Sequence, residues 1–342
     1  MFKTIRIKST TATELCQIRN AEKENNVDVI KPMMQKVMTK DSKGNDVSFM
    51  TPFFSGNSFR GKLRRESFSM LMEKALEKNI SMPNASNFHL MNAGGGNDFQ
   101  TQSFETEQKV RDLNPVISLF GTSLAVAGKL VTPNLMPYRS IEEDNREYYM
   151  GETENGHIFS PIVTNQKNRD QFVKGDDIIS GKGNARFLTE EMISAWEEEV
   201  AGSQKDRAAA RADDSKEKVS KKAIQSFLLR DYVIRGVDFY TSLSAMSTKK
   251  LSDIEYGMLV KALERVVLDY LGSNSSKGFG RMEYTVDFGD GSEIETKVDA
   301  YGECKITKKN YKKDVKKAIK AWEDWLNNEF SEETFKVATL MK

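Results

Sequence analysis

A strand–helix–strand pattern between residues 237 and 288 is the strongest constraint on the fold. Apolar and polar residues alternate from Val237 to Leu243 and again from Met282 to Phe288, which predicts two half-buried strands. Between them, Ser252 and Glu255 have the S-x-x-E spacing of a capping box, which predicts the start of a helix. The apolar face of that helix would consist of Leu259, Leu263, Val266, Val267 and Tyr270, with Gly272 well placed to end it.

The segments before this pattern contain strand, helix and loop signals. Ile5 and Ile7 predict a short strand at residues 1–11, and a second helix is expected within 51–78, capped by Asn57 or Ser58. Residues 12–50 are too long for a plain connection and predict an inserted arm or thumb. The Asn- and Gly-rich stretch 80–112 is interpreted as a mobile loop, and 113–137 as short strands with turns.

Two further regions complete this interpretation. Residues 140–225 form a second insertion, a finger or helical subdomain with one helix at 189–200. Residues 311–328 predict an amphipathic C-terminal helix with Trp322 and Trp325 on its apolar face, and the lysines of that helix are interpreted as a solvated face. The whole chain, 1–342, is expected to form a single domain with core segments at about 1–11, 51–78, 113–137 and 233–290.

Charge and cysteine content exclude several classes of protein. The 51 basic and 50 acidic residues give a net charge of +1, which argues against coating nucleic acid with the whole surface and makes the distribution of charge decisive. Cys16 and Cys304 are the only cysteines, so no disulfide framework is implied and a cytoplasmic protein is expected. No segment is apolar enough to predict a membrane span, and the first residues lack a signal-peptide core.

Two basic, glycine-containing segments carry the functional prediction. The first runs from Ser55 to Arg65 and places four cations within six residues at the start of a helix, where positive charge is unfavourable. Together with small residues and backbone amides, these cations predict a phosphate-binding site, unless neighbouring acids neutralise them. The predicted contacts in this segment are Ser55, Gly56, Asn57, Ser58, Arg60, Gly61, Lys62, Arg64 and Arg65.

The second segment is the loop from Gly272 to Arg281. Its glycines and serines suit a backbone that approaches a ligand closely. The predicted contacts here are Lys277, Gly278, Phe279, Gly280 and Arg281. Phe279 would either stack on a base or anchor the loop in the core.

Taken together, these motifs resemble the RAMP superfamily of CRISPR-associated proteins, in particular the backbone-forming Cas-seven family. The S-x-R-G-x-L-R run from Ser58 to Arg64, the pair Phe120-Gly121 and the G-x-G-R run from Gly278 to Arg281 carry the resemblance. The chain is most similar to the type IV version.

The resemblance implies an α+β fold with a ferredoxin-like (RRM-like) βαββαβ core, decorated by a thumb and a finger into a hand shape. It also implies a subunit that polymerises along a guide RNA (crRNA) and presents the guide for pairing with a target nucleic acid. Expected partners are therefore guide RNA, target, copies of itself and other effector subunits, with a helicase as one candidate among them. One of the insertions, 12–50 or 140–225, would press between base pairs of the guide–target duplex. The candidate side chains are Met33, Met34, Met38 and Phe49, with core packing as the alternative role for each.

Enzymatic alternatives remain open at this stage. In type III relatives an Asp in the loop after the first strand cleaves target RNA, and Asp28 would be its counterpart here, with Asp41 and Asp46 further on. The first alternative is therefore an endoribonuclease that uses Asp28 with a divalent metal ion. His89 and His157, in predicted loops, have no partners with metal-ligand spacing, and no phosphate-loop motif is present, so neither a metal nor another cofactor is predicted. A ferredoxin-like protein that oligomerises without nucleic acid is the second alternative.

Overall fold

The computed structural model describes residues 2, 4–17, 22–24, 27–40, 46–95, 102–122, 125–137, 139–140, 157–158, 167–174, 189–195, 198, 226–247 and 249–341. The chain divides into two compact units. The larger unit comprises Met1–Arg19, Pro32–Asn168 and Tyr232–Lys342, and the smaller comprises Asn20–Lys31 and Arg169–Asp231.

The described helices and strands are as follows. The strands are β1 (Ile5–Thr11), β2 (Glu22–Glu24), β3 (Val27–Ile30), β4 (Met34–Lys40), β5 (Asp46–Pro52), β6 (Leu130–Val131), β7 (Met136–Pro137), β8 (Arg139–Ser140), β9 (His157–Ile158), β10 (Lys167–Lys174), β11 (Ser226–Val233), β12 (Asp238–Ala245), β13 (Met282–Asp287), β14 (Glu293–Val298) and β15 (Cys304–Asn310). The helices are α1 (Gly56–Glu77), α2 (Ala85–Ala93), α3 (Phe104–Leu113), α4 (Pro115–Phe120), α5 (Asp253–Val266), α6 (Lys313–Asn328) and α7 (Val337–Leu340). Residues 190–195 are also helical.

A seven-stranded antiparallel sheet organises the larger unit, which makes the fold class α+β. Its strands run in the order β15-β14-β13-β1-β12-β6, and β7 also pairs with β12. The predicted strand at residues 1–11 is confirmed and lies in the middle of the sheet, where Ile7 is opposite Thr241 on one side and Val286 on the other. Ile5 and Ile7 are fully buried, as their alternation with polar residues predicts.

Helix α5 connects β12 to β13, and the predicted strand–helix–strand pattern is confirmed. The Ser252 hydroxyl accepts a hydrogen bond from the Glu255 amide at 3.2 Å, and the Glu255 carboxylate accepts one from the Ser252 amide at 2.7 Å, so both halves of the capping box form. The helix ends at Val266 rather than near Gly272. Gly257 allows α5 to pack closely on α6, because a Cβ there would lie 2.1 Å from the Ala318 carbonyl oxygen.

The C-terminal part extends this architecture. Strands β14 and β15, which the sequence analysis did not predict, continue the sheet beyond β13. The predicted C-terminal helix is confirmed as α6, whose Val315, Trp322 and Trp325 are buried in the core. Its lysines at 313, 316, 317 and 320 are exposed, as a solvated face would be.

The prediction of a mobile loop at 80–112 is wrong, because the structure contains two helices there. The asparagines and glycines that suggested a loop form helix ends instead: the Asn84 side chain caps α2 by accepting from the Asn87 amide at 2.9 Å. Gly94 then ends α2 with a φ of 92°, which favours glycine. Helix α3 is capped in the same way by Ser103, at 3.2 Å from the Thr106 amide.

The prediction of strands at 113–137 is correct only for the short β6 and β7. Residues Pro115–Phe120 form α4, capped by the Asn114 side chain, which accepts from the amides of Val116 and Ile117. All six residues of α4 are buried. A helix that is apolar on every side shows no 3.6-residue periodicity, so the pattern alone could not distinguish it from a buried strand.

The inserted regions contain smaller sheets. Within 12–50, β4 and β5 form an antiparallel hairpin in which Met38 is 66% exposed. Met33 and Met34 are half-buried, whereas the side chain of Phe49 lies outside the described residues. In the smaller unit, β3 pairs with β2 and with β11, within the order β10-β11-β3-β2. Most of 140–225 lies outside the described residues, apart from β8, β9, β10 and the helical residues 190–195 of the predicted helix.

No helix in the described part of the chain is both long and apolar enough to cross a membrane.

Candidate nucleic-acid interface

The start of α1 and the loop after α5 meet at one cleft. This cleft has a volume of about 300 Å³. Helix α1 contributes Ser58, Lys62 and Arg65, and the chain after α5 contributes Tyr270 to Ser273, so the two segments singled out from the sequence are neighbours. Gln17 and Phe54 complete the lining.

The segment from Glu14 to Gln17 ties the two sides together. The Gln17 side chain donates to the Ser58 hydroxyl at 2.7 Å and accepts from the Ser55 amide at 2.7 Å. On the other side, the Cys16 carbonyl accepts from the Ser273 amide at 2.8 Å, and the Glu14 carbonyl accepts from the Gly280 amide at 2.7 Å. Sequence reasoning missed Gln17, because a single glutamine after a strand carries no pattern.

At the N-terminus of α1, the Gln17 and Asn134 side chains accept from the amides of Ser55 and Gly56 at 2.7 and 2.9 Å. Ser55 occupies the N-cap position instead of Asn57 or Ser58, but its hydroxyl makes no capping hydrogen bond, and the first turn contains no acid. Asn57 and Ser58 are exposed there. Because the Ser55 hydroxyl does not cap the helix and the first turn has no acid, the exposed turn at Asn57 and Ser58 favours an anion.

Arg60 and Arg64 do not point into this cleft as available phosphate ligands. Arg60 donates to the Phe120 carbonyl, and Arg64 donates to the carbonyls of Phe120 and Gly121 at 2.7 and 2.6 Å. Arg64 is only 8% exposed, and its burial, followed by the nearby Arg60 charge, lowers its pKa to about 10. The prediction that Arg64 contacts phosphate is therefore corrected: carbonyl groups at the end of α4 hold this guanidinium.

Lys62 is also engaged. Its ammonium forms an ion pair with Asp269 at 2.6 Å and donates to the Tyr270 carbonyl. Burial alone would raise the pKa of Asp269, but the hydrogen bonds from Lys62 and the Tyr270 amide outweigh it, so the pKa lies below its usual value. Asp269 is thus a carboxylate that Lys62 neutralises.

Arg65 differs from these three cations. It is exposed at the cleft, and no described carboxylate forms an ion pair with it. Gly61, one turn before it, is half-buried, and a Cβ at Gly61 would make only an ordinary 3.5 Å contact with the Arg65 guanidinium. Packing does not require a glycine here, in contrast to Gly56, where a Cβ would lie 2.1 Å from the Thr132 carbonyl oxygen.

The second loop has a defined conformation. Lys277 is exposed at the end of a 3-10 turn, Ser275–Lys277, and Gly278 follows with a φ of 82° and open space around its Cα. Gly280 serves packing, because a Cβ there would lie 1.8 Å from the Leu271 carbonyl oxygen. Phe279 is 8% exposed and packs edge-on against Tyr232, so it is the core anchor and not a stacking surface.

Arg281 closes the base of the loop. Its guanidinium carbon lies 3.7 Å from the centroid of the Tyr270 ring, and its Nη1 donates to the Leu268 carbonyl at 2.6 Å. Arg281 therefore stacks on the Tyr270 ring and helps to fix the position of that ring at the cleft.

The candidate residues for catalysis are not among the residues that line the cleft. Asp28 is not in a loop but on β3, in register with Lys23 of β2 and Leu228 of β11. His89 is exposed on α2 rather than in a loop, and His157 is on β9. Within the described ranges, no three His, Cys, Asp or Glu residues cluster as a metal site would require, and Asp41 lies outside those ranges.

Fold and site together define an α+β protein with a polar, partly basic cleft at the start of α1. No known protein family and no curated protein sequence matches the chain. Among solved structures, it is similar to a chain of a "Type IV-B CRISPR Complex", with 12% sequence identity and a TM-score of 0.46 over 84% of this chain and 92% of that one. At that identity and TM-score, the similarity does not assign a role to this chain.

Proposed function

We propose that this chain is a guide-RNA-binding backbone subunit of a CRISPR effector complex, with the cleft at the start of α1 as its RNA site. The observation that carries the proposal is the meeting of the two predicted segments around that cleft, joined through Gln17 and Cys16. Segments more than 200 residues apart in the chain share one surface, as a common ligand would require.

Two of the three motifs behind the family resemblance contact each other, and Tyr270 links the third to the first. Arg60 and Arg64 of the first motif bond the carbonyls of the Phe120-Gly121 pair. Arg281 of the third motif stacks on Tyr270, whose carbonyl accepts from Lys62 of the first. Motifs that fold into one cluster support a shared role, whereas independent surface features would be scattered.

The strand order supports a ferredoxin-like core. In the sheet, β13, β1, β12 and β6 lie side by side in that order, and all neighbours are antiparallel. Along the chain these strands follow the order β1, β6, β12, β13. Helix α1 lies between the first and second of them, and α5 between the third and fourth. This is the arrangement of two interleaved βαβ units that the βαββαβ pattern demands.

The proposed RNA contacts divide into two groups. Asn57, Ser58, Gly61, Arg65, Lys277 and Gly278 would approach the sugar–phosphate backbone, because they are at least partly exposed around the cleft or on its loop. Arg60, Lys62, Arg64 and Arg281 would act indirectly, by holding the elements that form the cleft. Target nucleic acid would be bound by pairing with the guide, and copies of this chain and other effector subunits would be its protein partners.

Replacement of Arg65 tests this proposal. Because Arg65 would contact a phosphate, Arg65→Ala should weaken binding to every RNA sequence alike and reduce the slope of log K against log [salt] by about 0.7, the value for one phosphate contact on a single strand. Fluorescence anisotropy with several RNA sequences at increasing salt measures both quantities.

Arg265→Ala is the matched control. Like Arg65, Arg265 lies on a helix and its side chain is partly exposed. Glu73, however, holds the Arg265 guanidinium through two hydrogen bonds of 2.6 Å. Its replacement should leave the salt slope unchanged. An unchanged slope in Arg65→Ala, or purified protein that binds no RNA, would contradict the proposed function and favour oligomerisation without nucleic acid.

A further inference from the structure

Tyr270 is the one aromatic side chain among the residues after α5 that line the cleft. It is half-buried, and it lies beside Lys62, Arg65 and Ser58 in the lining. Phe279, the aromatic residue that the sequence suggested for base stacking, is buried against Tyr232 at a ring distance of 5.6 Å. The structure therefore offers a different ring at the cleft.

The Tyr270 ring is fixed before any ligand binds. Arg281 stacks on it at 3.7 Å, and Arg281 is itself anchored by the Leu268 carbonyl and by its own amide, which donates to the Thr13 hydroxyl at 2.9 Å. The Lys62 ammonium holds the backbone carbonyl of Tyr270. Among the described residues, no second ring or cation stacks on Tyr270. A ring held in this way loses little conformational entropy when a ligand stacks on it.

We propose that Tyr270 stacks on a base of single-stranded RNA while Arg65 contacts the adjacent phosphate. This inference rests on the proposed function and names the part of the RNA that the cleft takes. Aromatic rings beside cations are the usual means of holding single-stranded nucleic acid without sequence preference, because every base has a π-face. The Arg281 guanidinium beneath the ring makes Tyr270 part of a stack that a base would extend.

Two measurements test the inference on the full chain with a short single-stranded RNA. The RNA carries 2-aminopurine, a fluorescent purine, at one position after another, and stacking on Tyr270 should change its fluorescence at the position in the cleft. Tyr270→Leu should remove that change and weaken binding about 5- to 150-fold at every salt concentration, the effect of losing one base–aromatic stack. Because no phosphate contact is lost, the salt slope should stay that of the wild type.

Two further variants separate stacking from other causes. Tyr270→Phe retains the ring and should retain both affinity and fluorescence change. Tyr301→Leu is the matched control, since Tyr301 is 97% exposed in the turn between β14 and β15 and should tolerate replacement without effect on binding.

The outcomes distinguish this inference from the proposed function. If Tyr270→Leu binds RNA as the wild type does while Arg65→Ala lowers the salt slope, RNA binding stands and stacking is wrong. If Tyr270→Phe loses as much affinity as Tyr270→Leu, the hydroxyl group is the contact and stacking is again wrong. If Tyr270→Leu does not fold, Tyr270→Phe and the fluorescence scan of the wild type still test the inference. A wild-type scan in which the fluorescence changes at none of the positions would overturn it. Absence of RNA binding by the wild type rejects the proposed function itself.

Discussion

Three arginine side chains share the carbonyl groups at the end of α4. Arg60 and Arg64 bond Phe120 and Gly121, and Arg111 donates to the Ser118 carbonyl at 3.0 Å. The last carbonyls of a helix lack partners within it and carry a partial negative charge, so guanidinium groups stabilise them. Two of the four cations near the start of α1 are thus stabilised by carbonyl groups at the end of α4, so these two need no ligand to account for them.

Gly61 makes a separate prediction at the level of a single residue. A glycine inside a helix costs about 0.5–1 kcal/mol relative to alanine, and the space around Gly61 admits a Cβ. Gly61→Ala should therefore raise the free energy of unfolding by that amount, measured by urea denaturation. If RNA approaches the α1 backbone here, the added methyl group should also weaken RNA binding by about tenfold, or ~1.4 kcal/mol.

The two readouts of Gly61→Ala make the prediction specific. Lower RNA affinity in a more stable protein cannot come from partial unfolding. A variant that is more stable and binds RNA normally would show that the ligand does not approach this turn, and Gly61 would then lose its proposed role.

At the level of elements, one carboxylate connects α5 to the chain around β15. Glu264 accepts from the Tyr311 hydroxyl at 2.6 Å and pairs with Lys309 at 2.7 Å and with Lys261 at 2.9 Å. Its side chain is 12% exposed. Burial would raise the pKa of Glu264, but the hydrogen bonds from Lys309, Tyr311 and Lys261 outweigh it and place the pKa below the usual 4.5.

This cluster predicts a pH dependence of stability. Because the folded-state pKa of Glu264 is below its unfolded value, the stabilisation is present above pH 4.5 and is lost as the pH falls through the lowered pKa. Glu264→Gln should cost about 1–3 kcal/mol at neutral pH and show a shallower loss of stability on acidification. Urea midpoints of both proteins between neutral and acidic pH provide the measurement, and parallel curves would contradict the assignment.

Elements with a clear period or a capping motif could be predicted from the sequence, whereas elements buried on all sides were missed, as was the half-buried β14. The alternation in β1, β12 and β13 and the capping box of α5 each arise from one buried and one exposed side. Helix α4 is buried on all sides, and α2 is short, so neither shows a period. At the site, charge and glycine content located both segments, but Gln17 and Tyr270 could be found only from the folded chain, since their roles depend on contacts distant in sequence.

At the level of the whole molecule, the sheet brings the site together. Residues Glu14–Gln17 directly follow β1, the central strand, while α1 follows the β4–β5 hairpin and the second loop leads from α5 into β13. Because β13 pairs with β1, the end of this loop lies beside the residues after β1. Strand order therefore places the loop beside the residues after β1, while Arg60 and Arg64 hold α1 to the end of α4.

The proposed polymerisation along RNA gives the last prediction. If each copy of this chain binds one short segment of backbone through the cleft, the number of copies per particle should rise in proportion to the length of the RNA. Light scattering of the purified chain mixed with RNAs of increasing length measures this number. RNase treatment should return the particle to its RNA-free state, and Arg65→Ala should lower the salt concentration at which the particle dissociates, because each copy loses a phosphate contact. A copy number that stays fixed as the RNA lengthens, or a particle that survives RNase intact, would mean that protein contacts alone set the assembly.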